Sequence, residues 1–413
     1  MGSIFKCLKN LFRRPPWPKL NFPVTGFETI SEECLLEEER LPSFRKTDYY
    51  PVNIGDVFAS RYQVVGKLGF GVTSTVWLAR DLPMRKYATL KIYRRYQEDA
   101  KESEIYKALR DGDTKHWGYQ HIRTAQNTFK IARPGGDHLC LVQEPMGDSL
   151  SFFQSRIANR RFSVELLRMS LVKLFLALDY LHNECKLVHT DIKLDNIFLS
   201  ISDKGILEDF VKEEMSNPSA RKLGEYPVYA SRGFKYPNGF GDIKLGDFGA
   251  AERGDKKQTH GVQPAQIRCP EILFDRGWSY PADIWNVGVL VWELYENKIM
   301  FSGQHPDGSG YAALAHAAEM IAVLGPPPKE WLADDPRNSQ VFDAEGQWIG
   351  QVPVPTDRKL EDREENLTGD EQKEFLDFMR CMLQWRPEDR MTANQLVGHP
   401  WLKAKELLGI VPS

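Results

Sequence analysis

The hydrophobic positions change character near Gly147. Before it, short runs rich in Val, Leu, Thr and Tyr are bounded by Gly or by Asp81-Leu-Pro83. Residues 61–68, 74–80 and 88–93 read as three strands of an antiparallel sheet, and 139–144 as another. Residues 97–110 set Ile105, Ala108 and Leu109 among charges and predict a helix. After Gly147, residues 164–182 carry Leu167, Leu171, Leu174, Phe175, Leu178 and Leu181 at helical spacing, the mark of a long buried helix. Helical patterns recur over 281–296, 311–324, 370–383 and 392–397. A small β-rich lobe (51–146) therefore precedes a larger helical one (147–413). No internal repeat of 20–50 residues is found.

The extension before Pro51 is patterned differently. Its first 27 residues hold Lys6, Lys9, Arg13, Arg14 and Lys19 and no acid. This favours a flexible basic tail and leaves a mitochondrial presequence open. Glu28, Glu32, Glu33, Glu37, Glu38 and Glu39 then follow, and prolines 15, 16, 18, 23, 42 and 51 interrupt both stretches. Residues 1–50 are expected to be poorly packed.

Composition narrows the function classes. The 413 residues carry 54 basic and 57 acidic side chains, a formal charge of −3, and make no global case for nucleic acid or anionic lipid. The apolar runs are too short for a membrane span of about 20 residues. Six scattered cysteines without a C-x-x-C pair argue against a zinc ribbon or a disulfide scaffold and fit a reducing compartment. Cytoplasm and nucleus are the expected location.

Four local patterns carry chemistry. Gly69-Phe70-Gly71-Val72-Thr-Ser74 lies between two predicted strands, where glycines permit a tight turn and let backbone N–H groups approach phosphates. A strand led by Val76 follows it, not the helix a dinucleotide fold needs, and no P-loop is present. Lys91 is a lone cation in an apolar strand, and burial requires a partner that Glu104 on the next helix would supply. His189-Thr-Asp191-Ile-Lys193-Leu-Asp-Asn196 follows the long helix. Asp191 is suited to accepting a hydroxyl proton, Lys193 to neutralising a transferring phosphoryl group, and Asn196 to holding a divalent cation through its amide oxygen. Asp247-Phe-Gly249 follows a short strand and offers a second hard oxygen ligand.

Together, in this order, these parts resemble a eukaryotic-type protein kinase over roughly residues 55–405. The resemblance implies an α+β, bilobal kinase-like fold. It implies that ATP lies under Leu68, Gly69, Phe70, Gly71, Val72, Ser74 and Val76, with Lys91 on its phosphates and Glu104 pairing Lys91. Glu144 and Met146 would meet adenine through their backbone, and Asp148 the ribose. Asp191 and Lys193 would serve catalysis, while Asn196 and Asp247 would hold Mg²⁺. Cys269-Pro-Glu271 resembles the end of an activation segment, with Arg390 pairing Glu271.

More narrowly, Ile54-Gly-Asp56-Val-Phe58, Ser74-Thr-Val76-Trp-Leu78, His189–Lys193, Tyr280–Trp285 and His399-Pro-Trp401-Leu402 are similar to the SR-protein kinase family. That family phosphorylates serines in Arg/Ser-rich proteins of mRNA splicing. The resemblance implies a protein substrate, no direct nucleic acid and a monomer. Asn196 and Asp247 stand 51 positions apart, against about a dozen in a minimal kinase. Residues 201–241 are therefore an insertion, and Pro218, Pro227 and Pro237 predict a loop.

Some positions depart from the pattern. Thr190 replaces an Arg that in many kinases grips an activation-loop phosphate, and Thr259 is the only Ser or Thr between Asp247 and Glu271. Activity without activation-loop phosphorylation is expected. Pro264 stands where a Thr hydroxyl is usual. The stretch 311–324, which docks Arg-rich segments in the family, holds Glu319 as its one acid. A scaffold that binds nucleotide or partners without transferring phosphate is the competing reading.

Overall fold

The computed structural model describes residues 14–95, 99–235, 239, 241–333, 335–356 and 359–409. The chain forms two compact units. The first comprises residues up to Ser103, Thr124–Gly147 and Ser200–Gly241; the second comprises Glu104–Arg123, Asp148–Leu199 and Asp242–Ser413.

The first unit is built on a six-stranded antiparallel sheet in the order β1-β2-β3-β4-β6-β5. Its strands are β1 (Val57–Phe58), β2 (Tyr62–Phe70), β3 (Ser74–Asp81), β4 (Lys86–Tyr93), β5 (Ala125–Ile131) and β6 (His138–Gln143). β2 and β3 pair with two register shifts, at Val64/Gly66 and Lys67/Gly69, which twist the hairpin before its tip. β5 went unseen in the sequence because Ala125-Gln-Asn-Thr-Phe-Lys-Ile is polar, as an edge strand tends to be. One face of the sheet buries Val64, Trp77, Ala79, Leu90, Ile92 and Val142 with Tyr229. The other buries Val65 and Leu78 with Ile206, Leu207 and Phe210.

Those last partners correct the expectation of a loop at 201–241. Gly205–Ser216 is a helix, and Arg221–Lys222 and Val228–Tyr229 form a short hairpin. Its prolines lie outside the helix, while Ile206, Leu207 and Phe210 make an apolar stripe that needs a surface to cover. Gly66 lets the helix approach, because a Cβ there would stand 2.8 Å from Phe210 Cε1.

The extension is also better packed than its composition predicts. Within its described part, Trp17 packs at a tilt against Tyr87 with ring centroids 5.3 Å apart, and Leu20 exchanges two hydrogen bonds with Gln63. Thr29 bridges to Arg221. Glu28, Glu32 and Glu33 of the acidic run are exposed, but its second half is not a solvated face. Glu38 is buried against the fully buried Lys67, whose ammonium also donates to the Tyr229 carbonyl at 3.0 Å. Glu39 pairs with buried Lys222 at 2.7 Å, and Glu37 accepts from the Ser231 N–H at 3.1 Å. Two lysines with no exposed route to water demand carboxylates, and this segment supplies them. Basic residues 6, 9 and 13 lie outside the described residues.

The second unit is helical. Helix Val164–Asp179 starts at Ser163, whose hydroxyl caps the Leu166 N–H, and buries its leucine stripe. One π-helical turn, Tyr180–Glu184, follows it. Pro281–Glu296 is the most buried helix, and Ala313–Leu324 and Gly369–Met382 complete the larger elements. Arg390 and Glu271 form the expected bidentate pair, at 2.8 and 2.7 Å, fully buried.

Candidate active site

In the second unit, two short ladders hold both polar motifs. Leu187–Val188 pairs with Glu252–Arg253, and Ile197–Leu199 with Ile243–Leu245. The loop carrying Asp191 and Asn196 leaves the first strand of one ladder and enters the first strand of the other. The loop carrying Asp247 closes the same two ladders on their return. The Gly246 N–H donates to the Asn196 carbonyl at 2.9 Å, and His189 Nε2 bonds the Gly246 carbonyl at 3.0 Å, so the two loops are tied directly.

Beneath them sits Asp283, fully buried. One of its oxygens accepts from the Thr190 N–H at 2.9 Å; the other accepts from the His189 N–H at 2.8 Å and meets His182 Nε2 at 2.9 Å. A buried carboxylate taking two backbone donors fixes the peptide planes immediately before Asp191. Thr190 consequently sits at φ 68°, and Asp247 at φ 59°. Left-handed conformations at non-glycine residues cost of order 1–3 kcal/mol each, and they persist where surrounding bonds over-determine them. The sequence singled out Asp283 only as part of a matching run. The signal that could have found it is an acid placed in the first turn of a strongly apolar helix.

Asp191 is half-buried with its two oxygens in different situations. Oδ2 accepts from Lys193 Nζ at 2.7 Å and from Asn196 Nδ2 at 3.0 Å. Oδ1 is buried and has no hydrogen-bond partner among the described residues. Leaving a buried acceptor unmet costs about 1–3 kcal/mol, which a hydroxyl donor would relieve. Asn196 spends its amide N–H₂ on the Asp191 carbonyl (2.8 Å) and carboxylate, so its amide oxygen is turned away from that bond as a hard ligand. Asp247 is exposed. An amide oxygen and a carboxylate from tied loops suit Mg²⁺, which takes few protein ligands and keeps water. Phe248, wholly buried, packs between Tyr106 (6.0 Å) and His189 (5.0 Å) and anchors the Asp247 turn.

Asp148 also belongs to this unit. Burial pushes its carboxyl up from the ordinary value, opposed by Arg156 at 3.7 Å. Glu104 is exposed on the helix Asp99–Asp111.

The first unit holds the remaining candidates. Leu68, Gly69 and Phe70 end β2, Gly71 and Val72 form the tip, and Ser74 and Val76 open β3. Phe70 and Val72 are exposed, as a covering loop requires. Lys91 lies half-buried in β4, opposite Val76 on β3 and Leu141 on β6, with its ammonium 5.0 Å from the Tyr93 ring centroid. The Tyr93 hydroxyl donates to Glu102, which is buried and which the sequence reading passed over for Glu104. Glu144, just after β6, is exposed, and Met146, opening the short strand Met146–Ser149, is buried.

Comparison with known proteins agrees with this geometry. The protein kinase domain model matches residues 62–402. A serine/threonine protein kinase of Aspergillus fumigatus is 40% identical over 405 residues, covering 97% of this chain and 99% of that protein. The serine/threonine-protein kinase SRPK of Physarum polycephalum is 26% identical, covering 89% and 91%. A crystal structure of a kinase domain superposes with a TM-score of 0.65 at 22% identity, over 87% of this chain and all of that one, which speaks for the fold. The paired ladders, the buried aspartate beneath them and the matched domain model have one explanation: the chain belongs to the protein kinase family, as an SR-protein-kinase-like serine/threonine kinase.

Proposed function

We propose that this kinase transfers the γ-phosphoryl group of Mg·ATP to serine hydroxyls in Arg/Ser-rich proteins, with a role in mRNA splicing, acting as a monomer in the cytoplasm and nucleus. The observation that carries the chemistry is the unpartnered Asp191 Oδ1 beside an oxygen already neutralised by Lys193 and Asn196. Asp191 accepts the serine proton as the oxygen attacks phosphorus in line. Lys193 offsets charge on the transferring group. Lys91 orients the α- and β-phosphates, and the hairpin from Leu68 to Val76 covers them. The backbone at Glu144 and Met146 receives adenine, and Asp148 the ribose. Asn196 and Asp247 would hold Mg²⁺, which supplies neutralisation of phosphate charge.

The substrate class rests on the family and on the printed name of the Physarum relative. Glu319, the acid of the helix Ala313–Leu324, is buried and accepts from Ser302 Oγ (2.7 Å) and the Gly303 N–H (2.9 Å). That helix offers no carboxylate to a polyarginine tract. Glu361, Glu365, Asp370 and Glu371 are engaged by Arg380, Lys298, Lys373 and Arg168. Recognition is accordingly assigned to Arg residues close to the acceptor serine, with little gain from a long docking segment.

Regulation by activation-loop phosphate is not required on this reading. Thr190 Oγ1 donates to the Ala250 carbonyl at 2.9 Å. Gln263 bonds Ala282, Asn286 and the Cys269 N–H. Neutral contacts thus hold the segment that a phosphate would otherwise order.

The test is turnover of Mg·ATP on a short Arg/Ser peptide beside Asp191→Asn. Phosphopeptide from the wild type alone supports the reading. Equal signals from both proteins would mean a scaffold that does not transfer phosphate.

A further inference from the structure

Tyr49 lies near the end of the extension, eight residues before β1 begins. Its ring packs on Phe44 with centroids 5.2 Å apart, and the side chain is 6% exposed. Its hydroxyl reaches the tip of the glycine hairpin. It lies 2.9 Å from the Val72 carbonyl oxygen and 3.3 Å from that of Gly71. A phenol has one proton to donate, so the two carbonyls share it and the nearer takes the larger part. Burial pushes the Tyr49 phenol up, against the pull of Arg94, so it stays a donor at neutral pH.

Neighbouring bonds make the support rigid. The Arg95 N–H donates to the Asp48 carbonyl and the Arg94 N–H to the Thr73 carbonyl, each at 2.8 Å. The Gly71 N–H is taken by the Ser74 carbonyl at 2.8 Å. At the base of the hairpin, Lys67 is locked by Glu38 and sits 5.4 Å from the Phe70 ring centroid.

Peptide geometry turns this contact into a functional one. In a trans peptide the C=O of one residue and the N–H of the next point in opposite directions. Aiming the Gly71 and Val72 carbonyls at Tyr49 therefore aims the Val72 and Thr73 N–H groups away from it. Successive backbone N–H groups presented together form an anion-binding concavity.

We propose that Tyr49 is a positioning residue for the nucleotide phosphates, and that residues 44–50 are a built-in brace presetting the Gly69–Ser74 hairpin so that the Val72 and Thr73 amides are ready for them. The proposal rests on the reading that this hairpin covers ATP. It assigns to the extension a part in nucleotide binding, beyond its packing.

The test compares Tyr49→Phe, which removes the hydroxyl alone, with Glu39→Gln, which weakens the extension at Lys222 without touching the hairpin. Steady-state kinetics, calorimetric binding of ADP and of adenosine, and thermal midpoints are measured on the full chain. For Tyr49→Phe, KM for ATP and Kd for ADP should rise about three- to tenfold. Its kcat should stay within about twofold, with adenosine binding unchanged. Glu39→Gln should lower the thermal midpoint and leave KM for ATP alone. An unchanged KM in Tyr49→Phe, an equal loss of adenosine affinity, or an equal rise in KM from Glu39→Gln would each overturn the brace. Wild-type protein that binds no ATP would instead remove the nucleotide reading, and the proposal with it.

Discussion

Asp191 and Asp283 are both carboxylates with polar partners, and their surroundings give them opposite duties. Asp283 has both oxygens engaged, by His182 and two backbone amides. Asp191 keeps one oxygen unmet. Asp191→Asn should therefore lower kcat by about 10²–10⁴-fold, the usual worth of a general base, with ATP affinity and thermal midpoint little changed. Asp283→Ala removes charge-assisted bonds worth about 1.5–3 kcal/mol each, so stability and kcat should fall together. Chemical denaturation beside single-turnover kinetics separates the two patterns. His316 supplies a pH test. It is fully buried beside Tyr311, whose hydroxyl lies 3.0 Å from Nδ1. Burial, then Arg268, pushes its imidazole down from 6.5 to about 4. As pH falls through that window the unfolded chain takes a proton that the folded chain refuses. Stability is lost between these values and levels off below them, by up to about 3 kcal/mol at 1.36 kcal/mol per unit. His316→Gln should flatten that part of the denaturation-midpoint profile.

The insertion helix Gly205–Ser216 shows how an element's role can reverse on contact with a sheet. Proline spacing in 201–241 marked irregular chain, and the breaks are indeed outside the helix. What that spacing could not carry is the partner for Ile206, Leu207 and Phe210, which is the Val65 and Leu78 face of β2 and β3. Phe210→Ala should cost about 3–5 kcal/mol in urea denaturation, as for other large core truncations. Gly66→Ala should cost less, about 1–3 kcal/mol, through the clash with the same ring. The segment 247–271 is the opposite case, because its hydroxyl content is legible in the sequence. Thr259 was its only hydroxyl, and neutral contacts from Thr190 and Gln263 hold it. Thr259→Ala should retain activity within about twofold, since these neutral contacts already hold the segment. A large loss in the same peptide assay would argue against this.

At the scale of the whole molecule, the first unit draws on three stretches of sequence. Trp77 packs edge-on to Tyr229, and Lys67 needs Glu38 on one side and the Tyr229 carbonyl on the other. Deleting 201–241 would leave that lysine short of a partner and uncover an apolar sheet face. The thermal midpoint should fall by at least about 10 °C by circular dichroism, where removal of a free loop would barely move it.

Much of this was written locally. The strands β2 to β4, the leucine-striped helix and the motifs at Gly69, Lys91, Asp191 and Asp247 follow from residue type and short spacing. Turns and strands are decided within a few neighbours, so the sequence alone was enough to determine them. The packing of residues 14–50 and 201–241 was decided only by the tertiary structure. A buried charge or apolar stripe can be satisfied from any distance along the chain. Lys67 takes one partner 29 positions away and another 162 away, and no local pattern encodes either.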